Sequence, residues 1–219
     1  MSDLVVHSVT GSPFGRAVLA TLHEKHVPFR FAPLGPGDNK KPPHLARHPF
    51  GKVPAIEHAG FALYETAAIL RYLDRTFPQP ALTPTDAKAA ARMDQVMNIT
   101  DWYVHQGVNN VIGFHRIVGP RLLGLTANEA AIAEAMPRAQ TVFAELSRLL
   151  GQQSYFAGAQ VSLGDIHVGT HLDFMSATPE WTPLTAERQN LVAWLDRMRA
   201  RPSFQATTWE KVIELAQAA

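Results

Sequence analysis

The sequence predicts a small mixed α/β domain followed by an all-helical domain. Three observations carry that prediction. Strand-like and helix-like runs alternate through residues 1–77. Pro78, Pro80 and Pro84 punctuate the stretch from Phe77 to Thr85, and strand-like runs are absent after it. The expected domains are therefore 1–78 and 86–219.

Each element follows from local pattern. Leu4-Val5-Val6-His7 reads as a buried strand. Ser12-Pro13 opens a helix, with Ser12 as N-cap, Pro13 at the first position and an apolar face of Phe14, Val18 and Leu22. Pro28 to Leu34 is a second extended run, and Gly35 to Pro43 reads as a loop. Pro54-Ala55-Ile56-Glu57 and Phe61-Ala62-Leu63-Tyr64 flank a turn at His58-Ala59-Gly60 and form a hairpin. Thr66 leads into a helix with Ile69, Leu70, Leu73 and Phe77 on one side. Beyond the linker, 86–115, 126–150, 162–176 and 185–199 have helical periodicity, and Pro202 starts a last short helix. Val161-Ser162-Leu163-Gly164-Asp165-Ile166 is a capping box with a hydrophobic staple, a folding device rather than a site.

Composition narrows the chemistry. Apolar residues make up 46% of the 219, enough for a packed core. Twenty Lys and Arg face nineteen Asp and Glu, and a net charge of +1 gives no global attraction to nucleic acid or anionic membrane. Any anion site is therefore local. The sequence has no cysteine, which excludes disulfides, thiolate metal sites and a cysteine nucleophile. Residues 1–10 lack the order of a signal peptide, and no run of about 18 uncharged apolar residues appears. The expectation is a soluble cytoplasmic protein with neither nucleic acid nor membrane as partner.

Two segments, His48-Pro49-Phe50-Gly51-Lys52-Val53-Pro54-Ala55-Ile56 and Tyr64-Glu65-Thr66-Ala67-Ala68-Ile69-Leu70-Arg71-Tyr72-Leu73, resemble the glutathione-binding half of cytosolic glutathione transferases. The helical half and its capping box match as well, so the resemblance covers nearly the whole chain. It implies a thioredoxin-like first domain that binds glutathione and an all-helical second domain that contributes a hydrophobic substrate pocket. The Leu22-His23-Glu24-Lys25 stretch and the segment from Asn39-Lys40 to Pro54 are most similar to the phi class, with theta next. Asn39 stands where the phi pattern has His, Lys52 where it has Gln, and Glu65-Thr66 where Glu-Ser is commoner.

Glutathione carries two carboxylates, an ammonium and a thiol that is mostly protonated at neutral pH, since an unperturbed thiol has a pKa of about 8.5. The family favours the thiolate with a Tyr, Ser or Cys near the first helix. This chain has no cysteine and its first tyrosine is Tyr64, which leaves Ser8, Thr10 and Ser12. Matching Ser12-Pro13-Phe14-Gly15-Arg16-Ala17-Val18 to the phi and theta pattern puts Ser12 on the catalytic serine. Taken alone, Ser-Pro is an ordinary N-cap.

The resemblance also assigns the rest of the site. Glu65 and Thr66, at a helix start, would hold the γ-glutamyl end of glutathione, the carboxylate on free N–H groups and the ammonium on Glu65. By themselves they read as a cap with a first-turn acid. Val53-Pro54 would be a cis step that presents Val53 to the cysteinyl backbone, where an unaided reading is a trans proline opening an edge strand. Lys40 would contact the glycine carboxylate, with Asn39 and Lys52 beside it and Lys41 a solvated neighbour. Phe14, Leu34 and Phe114 would line the hydrophobic pocket, although apolar helix residues are more often core. A homodimer is implied, with Arg71, Arg75, Arg92 and Asp94 where subunits meet, and Asp101 reaching a ligand amine across the interface.

His167 and His171 have the i,i+4 spacing of a helical metal site, but no Glu follows His167 and Asp165 belongs to the capping box, so no metal is expected. Glutathione is the co-substrate. Transfer to a hydrophobic electrophile and glutathione-dependent peroxide reduction need the same thiolate, so residues do not separate them. The alternatives are an isomerase or dehalogenase on the same site, and a non-catalytic binding or scaffold protein. Ser12, Lys40, Glu65 and Thr66 argue against the scaffold.

Overall fold

In the computed structural model, which describes residues 3–219, β1 (Leu4–Ser8) runs into α1 (Pro13–Glu24) and β2 (Arg30–Pro33). A 3-10 turn at Asp38–Lys40 and the short α2 (Pro42–Leu45) follow, then β3 (Ala55–His58), β4 (Phe61–Tyr64) and α3 (Thr66–Thr76). The strands form one four-stranded sheet in the order β2-β1-β3-β4, with β1 parallel to β2 and antiparallel to β3. Leu4, Val6 and Ile56 are fully buried on the sheet, and Val18, Leu22, Ile69 and Leu73 on the helices. Burying those apolar faces drives the assembly, and α1 packs directly on α3. The hairpin turns on Ala59 and Gly60 with φ of 49° and 80°, both positive as a two-residue turn of the strand-matching hand requires. The α2 turn begins in the last two residues of the segment expected to be loop and runs past it; Pro42 at its first position was the available signal.

The helical part consists of α4 (Ala87–Ile99), a π-helix (Thr100–Val118), α5 (Gly119–Leu123), α6 (Glu129–Leu150), α7 (Leu163–Met175), α8 (Trp181–Thr185) and α9 (Gln189–Arg199). The π winding departs from the single α-like run expected over 86–115. Its buried branched residues, Thr100, Val104, Val108, Ile112 and Ile117, with Gly107, Asn109 and Gly113 buried beside them, lie four to five positions apart. That is wider than the α repeat of 3.6, and the Gly119 N–H closes on the Phe114 carbonyl five residues back.

Contacts divide the chain into two units, Pro84–Met198 and a first unit that joins residues up to Thr83 with Arg199–Ala219. This differs from the expected 86–219 domain at its C-terminal end. The last helices, α10 (Pro202–Gln205) and α11 (Trp209–Gln217), pack on α1 and β2 of the first unit. The reason is specific: Arg201 Nε and Nη2 donate to the Glu24 carboxylate at 2.6 and 2.7 Å, and the Ser203 hydroxyl donates to it as well. A helical pattern shows that a segment winds, not which core it covers.

α7 is buried along most of its length. Asp165, with no exposed surface, accepts from the Ser162 N–H (3.0 Å), the Ser162 hydroxyl (2.6 Å), the Phe156 N–H (2.9 Å) and the Trp194 indole N–H (3.0 Å). The expected capping box forms and is extended to two further donors. Burial pushes the Asp165 carboxyl up, and those donors oppose the shift. In α7 the His167 Nε2–H donates to Asp101 at 2.7 Å and the His171 Nδ1–H to the His167 carbonyl at 3.0 Å. Burial and the neighbouring His167 hold His171 well below the ordinary histidine range. Among the described residues no helix is long and apolar enough to cross a membrane.

Candidate active site

Sheet register decides which residues meet. His7 of β1 pairs with Ala55 of β3, and Ala55 pairs with Tyr64 of β4. The segments just beyond these positions therefore emerge at one end of the sheet: Val9 to Ser12 after β1, Val53-Pro54 before β3 and Glu65-Thr66 after β4. Leu34 joins them, its N–H donating to the Ser8 carbonyl at 2.9 Å. The loops bring in the lysines. Asn39 Nδ2 donates to the Gly51 carbonyl at 2.7 Å, and Lys40 Nζ reaches the Phe50 carbonyl at 3.5 Å. Gly51 takes φ +58°, and a Cβ there would stand 2.8 Å from the Asn39 carbonyl oxygen, so only glycine lets the two loops approach this closely. Asn39 thus holds the loop rather than offering its amide outward, and Lys41 pairs with Asp38 at 2.7 Å.

Ser12 is the N-cap of α1. Its Oγ accepts from the Gly15 N–H at 3.1 Å, and Pro13 takes the first helical position. A hydroxyl has one donor and two acceptor sites, so this cap uses a lone pair and leaves the O–H proton to donate elsewhere. The first turn of α1 carries no acidic residue, so its positive end faces this hydroxyl without a competing carboxylate.

At the start of α3, Glu65 adopts φ +69° and ψ +113°, a conformation that L-residues rarely take, and no side chain caps the helix. Strain of this kind costs on the order of 1–3 kcal/mol and collects at ligand sites. The first-turn N–H groups of α3 have no side-chain cap, and Thr66, the first helical residue, is buried beside the exposed Glu65. The Val53-Pro54 bond is cis, as the resemblance implied.

Behind these segments, His48 packs against Tyr64 with ring centroids 4.6 Å apart and planes tilted by 32°, and the buried His44 donates from Nε2 to the Lys52 carbonyl at 2.7 Å. Burial, then the neighbouring charges of His44 and Lys52, keep His48 below the ordinary histidine range, so at neutral pH it supports the loop as an uncharged ring. The i,i+4 spacing of His44 and His48 is the one mark that this support leaves in the sequence.

Residues 6–81 match the family model of the glutathione S-transferase N-terminal domain, and residues 86–202 that of the C-terminal domain. The chain belongs to the glutathione S-transferase family. It is 30% identical to a glutathione S-transferase of Hyoscyamus muticus over 216 residues, covering 97% of this chain and 98% of that one. Glutathione transferase F7 from Populus trichocarpa superposes with a TM-score of 0.84 at 27% identity, covering 97% and 99% of the two chains. A theta-class glutathione S-transferase from Xanthomonas axonopodis pv. citri, solved with glutathione bound, gives 0.84 at 26% identity over 94% and 97%. The F marks the plant phi class, so the expected order of similarity, phi with theta beside it, is met.

As in that family, the first unit of this glutathione S-transferase is thioredoxin-like and the second helical. Phe14 and Leu34 are half-buried in the first unit. Phe114 belongs to the second unit, where it packs edge-on against His115 with centroids 5.3 Å apart. Asp101 pairs with His167 through Oδ1 at 2.7 Å.

Proposed function

We propose that this glutathione S-transferase uses Ser12 to stabilise the thiolate of glutathione for attack on a small hydrophobic electrophile. The observation that carries the reading is one sheet end that joins an N-cap hydroxyl, whose proton is uncommitted, to an uncapped helix start below a strained Glu65. The α3 N–H groups and Thr66 suit the γ-glutamyl carboxylate, and exposed Glu65 suits the ammonium beside it. Val53 offers its backbone to the middle of the tripeptide. Lys40, with Lys52 alongside, suits the glycine carboxylate, while Asn39 acts by fixing their loop. The Ser12 O–H then meets the sulfur, helped by the positive end of α1. Phe14 and Leu34 are the apolar groups next to it, where a hydrophobic electrophile gains most from leaving water. The same thiolate reduces a hydroperoxide, and a panel of electrophiles and hydroperoxides separates the two. The full set of glutathione-holding residues, together with relatives that are themselves transferases over the whole length, favours an enzyme over a scaffold.

Calorimetry with glutathione tests the reading. Binding is expected, and Lys40→Ala is expected to weaken it about twofold to fivefold at low salt, with the loss shrinking as salt screens the exposed charge. No heat of binding at millimolar glutathione sinks the proposal.

We also propose a homodimer. Support comes from the charged positions Arg71 and Arg75 on α3 and Arg92 and Asp94 on α4. Phe50, 66% exposed, adds apolar surface on the first unit. Sedimentation at micromolar concentration is expected to give a particle of two chains; a single-chain particle overturns this part.

A further inference from the structure

We propose that the C-terminal segment, residues 201–217, is the positioning element for the Ser12 hydroxyl and acts chiefly through Trp209. The inference rests on the reading that Ser12 donates to the thiol, and extends it to a residue nearly two hundred positions away.

Gly11 immediately precedes Ser12 and takes φ +81°, the left-handed region. A Cβ built there would lie 2.7 to 2.9 Å from three atoms of the Trp209 ring. The six-membered edge of the indole therefore rests directly on the Gly11 backbone, with no space for a side chain between them. Trp209 is the first residue of α11, whose start is capped by Thr208 accepting from the Lys211 N–H at 3.3 Å, and α11 packs on β2. The ring is thus fixed at its base.

The other side of Ser12 is gripped from the same segment. The Arg16 N–H closes the first turn of α1 on the Ser12 carbonyl at 2.8 Å. The Arg16 guanidinium lies over the Phe204 ring, 5.1 Å from its centroid, and its Nη2 donates to the Phe204 carbonyl at 3.3 Å. Phe204 is 1% exposed and belongs to α10, which Arg201 and Ser203 pin to Glu24 at the far end of α1. So Gly11 before Ser12 and Arg16 after it are both held by residues 204–209. A hydroxyl that serves a thiolate must stay within about 0.5 Å of its productive place. A Gly backbone without support would be the softest point of this turn. The indole removes that softness.

Trp209→Leu and Trp209→Phe, studied beside Ser12→Ala, test this. In Trp209→Leu the pKa of the bound thiol, followed by thiolate ultraviolet absorbance, is expected to rise by about one pH unit, with kcat about tenfold lower and KM for glutathione within about twofold. Trp209→Phe keeps a flat ring and is expected to recover most of the activity. A packing role alone would lower the melting temperature of both variants and leave the thiol pKa where it was. An unchanged thiol pKa in Trp209→Leu overturns the proposal; should that variant fail to fold, Trp209→Met, flexible but of similar bulk, is measured the same way and an unchanged pKa there overturns it. If Ser12→Ala also leaves the thiol pKa unchanged, the Ser12 reading has failed and the proposal goes with it. If Ser12→Ala raises it and Trp209→Leu does not, only the positioning role is lost.

Discussion

Ser12→Ala is expected to lower turnover about tenfold to hundredfold while glutathione affinity changes little. Ser12 Oγ already serves one structural bond, the cap from the Gly15 N–H. Its proton is the part left for the ligand. A hydrogen bond to a charged sulfur contributes roughly 1.5–3 kcal/mol, and it strengthens as the thiol ionises, so its loss falls on turnover more than on ground-state binding. The carboxylates of glutathione are held elsewhere, near Lys40 and at the start of α3. The same substitution also removes the cap, which costs about 1 kcal/mol of stability. The two effects separate by measurement: the bound thiol pKa rises if the hydroxyl donates to sulfur, and stays put if Ser12 is only a cap. Ser12→Thr keeps both the cap and the hydroxyl and should recover most of the turnover. An unchanged thiol pKa with a lowered melting temperature would move the role to Thr10.

Asp165→Ala is expected to cost about 4 kcal/mol or more, at the extreme of single substitutions. Four donors converge on this carboxylate in a site with no exposed surface: two from Ser162, one from the Phe156 backbone and one from the Trp194 indole. Alanine leaves them buried without an acceptor, each loss costing about 1–3 kcal/mol before relaxation. Domains of this kind hold only about 5–15 kcal/mol in total, so the variant should be recovered poorly or as a loosely packed species. Asp165→Asn keeps one oxygen for Phe156 and Trp194 and should be intermediate. Urea unfolding followed by circular dichroism measures both. A loss below about 1 kcal/mol for the alanine variant would mean that the carboxylate is dispensable and α7 is held by its apolar contacts alone.

Much of the local structure was legible because its signals are short. Ser12-Pro13 encodes a helix start, Ala59-Gly60 falls between two alternating runs, and Ser162 with Asp165 writes a capping box three residues wide. Each is decided by bonds within one turn, and the structure has each in place. The missed α2 turn shows the limit: four residues give too little periodicity to stand out from a Gly- and Pro-rich stretch. The π winding of Thr100–Val118 was equally hidden, because an apolar spacing of four fits both windings until buried positions are known.

The sequence by itself determined that no cysteine can act, that a hydroxyl caps the first helix, and that the chain changes from mixed to helical after the Pro-rich linker. Tertiary structure alone decided what stands beside that hydroxyl. The register of His7 with Ala55 and of Ala55 with Tyr64 brings Ser12, Val53 and Glu65 to one sheet end, and a slip of one residue would turn their neighbours to the other face. The positive φ of Glu65 arises from its surroundings, since nothing in a Glu side chain favours it. Residues 201–217 carry a plain helical pattern, and what ties them to α1 is a set of partners such as Arg16 and Phe204, 188 positions apart. Caps and turns are satisfied by neighbours in the chain and so leave a mark in it. Packing partners are chosen by the burial of whole faces, which only the folded chain provides.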